Sequence, residues 1–79
     1  MFALASVEKF LRDNPDRVGS RAEAILARAK KVSVNGLFHG RAVKDIMDDD
    51  ELTREFRDVA MSDPEHVRIG LRAMRSSAP

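Results

Sequence analysis

The feature that most constrains this chain is the spacing of its apolar residues. They recur every three or four positions in short runs, and each run is bounded by a helix stop or start signal. Leu4, Val7, Phe10 and Leu11 share one helical face, and the run ends at Asn14 because Pro15 disfavours helical backbone in the residue before it. Ser20-Arg21-Ala22-Glu23 has capping-box spacing, in which a hydroxyl and a carboxylate satisfy free amides at a helix start. It predicts a second helix with Ala22, Ile25, Leu26 and Ala29 on one stripe, and with Ala24 and Ala27 keeping the other side small. Phe38, Ala42, Val43, Ile46 and Met47 form a broader face, which predicts a third helix over 34–48 sandwiched between others. The acids Asp48, Asp49, Asp50 and Glu51 suit the first turn of a fourth helix, where the amide dipoles favour negative charge. Leu52, Phe56, Val59 and Ala60 give that helix a single stripe. Ser62-Asp63-Pro64-Glu65 repeats the capping box and opens a fifth helix to about Arg75, with Val67, Leu71 and Met74 inward.

One stretch has two readings. Val32, Ser33 and Val34 alternate, and Asn35-Gly36 is the strongest short hairpin signal, so strands over 30–34 and 37–41 are the alternative to helix. An isolated two-stranded ribbon is marginal in water, and this favours the helix.

The expected fold is all-α: one compact bundle of about five short helices, with a short hairpin near 31–41 as the variant. Residues 1–75 form a single domain around Leu11, Ile25, Leu26, Phe38, Ile46 and Phe56, and 76–79 read as a frayed tail. A chain of 79 residues buries only about 60% of its unfolded surface, so every helix must contribute its apolar face. A partner or a second copy would add burial, and a homodimer is compatible with the sequence. Cysteine is absent, which removes disulfides, thiolate catalysis and thiolate-bound zinc and suits a reducing compartment, the cytoplasm by default. The apolar start reaches Glu8 and Lys9 before a signal-peptide core forms, and no stretch approaches the roughly 20 apolar residues of a membrane span; no membrane partner is expected. With 14 Lys+Arg against 13 Asp+Glu, total charge announces neither a nucleic-acid coat nor an acidic mimic.

Catalytic patterns are weak, and the expectation is a protein that is not an enzyme. Ser62, Asp63 and His66 are the only local nucleophile-and-base grouping, and a helix start explains the same residues. The acids at 48–51 lack the loop glycine of a calcium site, since position five falls on Leu52. His39 and His66 lack the spacing of a zinc pair, and Gly36 and Gly40 lack the following lysine and hydroxyl of a phosphate loop. No cofactor and no metal are expected.

Binding patterns are stronger. Arg68, Arg72 and Arg75 share one sector of the fifth helix, while Ile69, Ala73 and Leu37 lie off the predicted core faces. Apolar residues beside arginines have the composition of an interface centre, so the first expectation is a small regulatory or inhibitory protein that docks on another protein there. The alternative is a DNA-binding regulator. Its first three predicted helices resemble a helix-turn-helix core in pattern, with helix 34–48 in the major groove. Asn35, His39, Arg41 and Lys44 would approach double-stranded DNA, and Arg28, Lys30 and Lys31 would clamp phosphates.

Overall fold

In the computed structural model, which describes the backbone of residues 1–77 and the side chains of residues 1–72, most of the apolar runs fold as helices, and the one that opens at Phe38 folds in part as a short extended ribbon. The chain enters as strand β1, Phe2–Ala3, and turns into helix α1, Leu4–Asp13. At its end the Asn14 side-chain amide donates to the Phe10 carbonyl at 2.9 Å, and Pro15 then starts a single helical turn, α2, Pro15–Val18, that the sequence reading did not foresee. A tight 3-10 turn over Gly19–Arg21 leads into α3, Ala22–Val32. The Ser20–Glu23 capping box is not made. Arg21, immediately before α3, already has helical backbone (φ −76°, ψ −13°), so that turn delivers the chain pre-wound and no side chain caps the amides.

The expected helix over 34–48 is corrected. Asn35 and Gly36 both take left-handed backbone, φ 55° and 78°, which is the chemistry of a tight hairpin turn. Val34 and Leu37 exchange backbone hydrogen bonds across it at 2.7 and 3.1 Å. Strand β2, Leu37–Phe38, then pairs antiparallel with β1, Phe2 opposite Phe38 and Ala3 opposite Leu37. The hairpin alternative therefore had the right turn and the wrong strand partner, because residues up to Val32 stay in α3. After a 3-10 turn over Gly40–Ala42 comes α4, Val43–Met47, which stops at Asp48 in left-handed backbone, φ 59°. A Cβ on Gly40 would come within 3.3 Å of the Phe2 ring, so the ribbon and this turn are in close approach.

The last two helices, α5 (Asp50–Ser62) and α6 (Pro64–Ser77), both start at an aspartate. The Asp49 carboxylate accepts from the Glu51 and Leu52 amides at 2.9 and 3.1 Å. That of Asp63 accepts from the Glu65 amide at 2.8 Å, so Asp63 and not Ser62 occupies the cap. Proline explains the shift: Pro64 has no N–H to leave unsatisfied and fits the first helical position, which puts the cap one residue before it. Backbone helix α6 reaches Ser77, past the boundary expected at Arg75, while Ala78 and Pro79 lie outside the described residues.

The architecture is an all-α bundle with a small antiparallel ribbon at one edge. Phe56 is fully buried at its centre, with the Phe2 and Phe10 rings 5.3 and 5.5 Å away by centroid. Val7, Ile25, Val43, Ile46 and Met47 complete the tightest layer. Of the expected core, Leu11, Ile25, Phe38, Ile46 and Phe56 are buried and Leu26 is half-buried against them. Short α4 is held between α3 and α5, as the width of its apolar face implied. Among the described residues no helix is long and apolar enough to cross a membrane.

Candidate interaction surface

Helix α6 packs on α1, α5 and both strands of the ribbon, and among its described side chains the one turned fully inward is a histidine. His66 is only 3% exposed, its ring lies edge-on to Phe56 at 6.4 Å, and its carbonyl accepts from the buried Ser6 hydroxyl at 3.5 Å. Ile69 and Gly70, one turn further, are half-buried. Val67 and Leu71, expected inside, are instead 46% and 50% exposed, and Met61 at the end of α5 is 75% exposed. Over the described residues the inward face of α6 is thus rotated from the expected one, and the side chain of Met74, also expected inside, lies outside them. Among the described residues, positions 66, 69 and 70 form the inner side of the helix, and Val67 and Leu71 lie on the outer one.

The expected protein-docking set is regrouped by this rotation. Arg68 and Arg72 are exposed and flank Val67 and Leu71. Arg68 makes a two-pronged contact with Glu65 one turn before it, at 2.8 and 2.6 Å. Ile69 belongs to the half-buried side, not to the exposed patch. Leu37, also half-buried, lines a hollow of about 350 Å³ with Met1, Val32, Val34 and His39, which none of the described α6 residues lines. The side chains of Ala73 and Arg75 lie outside the described residues.

The residues expected to meet DNA do not share one helix. Asn35 sits in the turn and His39 follows β2. Lys30 and Lys31 are exposed in the last turn of α3. Arg28 is directed inward along the bundle, donating through Nε to the Ile46 carbonyl at 3.0 Å and approaching Asp48 at 3.8 Å. Arg41 and Lys44 do come together, in a cleft between the Gly40–Ala42 turn, α4 and α5.

The acidic run has a structural use. Its carboxylates fan out to separate cations: Asp48 to Arg28 at 3.8 Å, Asp49 to Arg21 at 3.4 Å, Asp50 to Lys44 at 3.7 Å and Glu51 to Arg17 at 3.8 Å. Arg17 also pairs with Glu55. The cap bonds from the Leu52 and Glu51 amides, with Arg21 beside them, hold the Asp49 carboxyl below its usual pKa. Among the described residues no three metal-ligating side chains converge. Ser62 is exposed, Asp63 is engaged at the α6 cap, and His66 Nδ1 is buried without a hydrogen-bond partner, so neither orients the imidazole through that atom. Burial lowers the His66 pKa, and the Lys9 ammonium adds to the effect against the opposing pull of Asp63, Asp13 and Glu65.

Sequence reasoning missed Val67 and Leu71 as surface residues and Arg54 and Arg57 as companions of Arg41. The available signal for the first pair was the spacing of His66, Ile69 and Gly70, which share one helical side opposite Val67 and Leu71. Compared with models of known families, with curated proteins and with solved structures, the chain matches none.

Proposed function

We propose that this protein is a non-catalytic regulator that acts in a reducing compartment such as the cytoplasm by docking on another protein through the outward face of α6. The observation that carries the reading is the exposure of Val67 and Leu71 beside Arg68 and Arg72 on a helix whose inner side is occupied by His66. Large aliphatic side chains at the centre of such a patch gain from being covered, and the arginines select a partner with carboxylates around an apolar depression. A chain this small regulates most simply by occlusion, since covering about 800 Å² of a partner's surface is enough to block it.

The test is affinity capture from the native host with wild-type protein and with Val67→Asp/Leu71→Asp. Loss of a specific protein in the variant, at unchanged helical circular dichroism, is the expected result. Capture that survives the double change overturns the reading, and so does capture lost only through self-association, which sedimentation of the purified chain measures.

A further inference from the structure

Arg41, Lys44, Arg54 and Arg57 converge on an open cleft of about 550 Å³, where the only carboxylates are Asp50 and Asp58. Four cations against two anions leave two positive charges locally uncompensated, in a molecule whose net charge is only +1. Lys30 and Lys31 are also exposed cations without a carboxylate partner among the described residues, but they stand on an open helix end and line no cleft with arginines. On the other side of α5's start, Arg17, Arg21 and Arg28 each have a carboxylate within 3.8 Å. In the cleft, among the described residues, neither Arg41 nor Arg54 has one within 4.0 Å, although Asp58 lies four residues after Arg54 on the same helix. Lys44 approaches Asp50 only at 3.7 Å, with both side chains largely exposed. Arg57 is held in place by donating to the Gly40 carbonyl at 2.7 Å through one Nη, which fixes its guanidinium and leaves other donors available.

We propose that this cleft binds the phosphate dianion of a small phosphorylated molecule. Three guanidinium forks suit the oxygens of a phosphate better than a lone ammonium would. The charge of a phosphate monoester, about −1.5 to −2 at neutral pH, matches the local excess. A carboxylate would neutralise only half of it. No aromatic side chain lines the cleft, so recognition rests on the phosphate rather than on a stacked base. The ligand is compact and not a long polyanion, because the Lys44–Asp50 wall is shared with a neighbouring hollow lined by Asp45, Asp48 and Asp49, where a continuing phosphodiester chain meets like charge.

The experiment is a titration of the full chain, followed by amide and arginine side-chain NMR, at fixed ionic strength with inorganic phosphate, glycerol 3-phosphate, sulfate and a short DNA duplex as separate probes. Saturable shifts confined to residues 40–44 and 53–58 on adding phosphate or its monoester are expected. Arg41→Gln and Arg54→Gln should each weaken binding by about tenfold, whereas Lys30→Gln on α3 leaves it unchanged. The two phosphate probes separate a free-phosphate site from one for an esterified ligand, with tighter binding of the monoester marking the latter. Sulfate, a tetrahedral dianion of the same size, should bind comparably to inorganic phosphate; shifts spread evenly over surface cations, tighter binding of duplex than of either phosphate probe, or variants that bind like wild type would each overturn the proposal.

Discussion

Helices α5 and α6 lie against each other, both start at an aspartate cap, and both carry an apolar stripe, yet they use it in opposite ways. In α5 the stripe is inside: Leu52, Phe56 and Ala60 are buried, and Arg54, Arg57 and Asp58 face water. In α6 the buried position among the described side chains is His66, and the aliphatic Val67 and Leu71 are left half in solvent. The difference teaches that the strength of a stripe does not decide which side of a terminal helix is buried. Neighbours on every side fix a central helix by its widest apolar face. A helix at the end of the chain can leave large aliphatics such as Val67 and Leu71 in water.

The comparison is most strongly challenged at Phe56, whose truncation to Ala removes the ring that Phe2, Phe10 and His66 all touch. We expect a loss of about 3–5 kcal/mol in urea unfolding, a large share of the stability of a domain this size. A loss under about 1 kcal/mol would mean that α5 is not the central helix.

The next effect belongs to the buried histidine. Because burial holds the folded pKa below the ordinary 6.5, the unfolded chain takes up a proton first as pH falls through that value. Stability contributed by neutral His66 is therefore present above about pH 6.5 and declines below it, until the folded histidine also protonates. His66→Phe should abolish that acid-side slope in thermal melts and stabilise the fold at neutral pH by about 1 kcal/mol, since it removes the unpaired Nδ1. A variant that keeps the wild-type slope would place the proton uptake elsewhere.

The smallest effect is expected on the outer face of α6. Leu71→Ser should change unfolding stability by no more than about 0.5 kcal/mol, as surface changes do. A cost above about 2 kcal/mol would show that Leu71 is a core residue, and the contrast between the two helices would disappear.

Local rules made much of this fold readable. Pro15 ended α1, Asp49 and its acidic neighbours began α5, and Asn35-Gly36 marked a reversal, because each acts through backbone groups a few residues away. The element after that reversal was misread. Phe38 does face the core with Val43, Ile46 and Met47, but it does so from a strand, and its pairing partner Phe2 is remote in sequence. A wheel drawn over 34–48 reproduced the burial and invented the helix. The shared outward side of Arg68 and Arg72 was legible by its periodicity, but which aliphatics accompany them depends on the rotation of the helix against α1, α5 and the ribbon. The cleft at Arg41 and Arg54 joins residues from two elements, and nothing in the spacing of either announces the other.

The pairing of Phe2 with Phe38 also has a kinetic consequence. It closes a ring of some 36 residues around α1, α2 and α3, at an entropic cost on the order of 3 kcal/mol if the intervening chain were floppy. Only once those helices have docked does that cost shrink, so the ribbon should zip up late on the way to the native state. When the molecule is pulled from its N-terminal side, the same seam is the first to part.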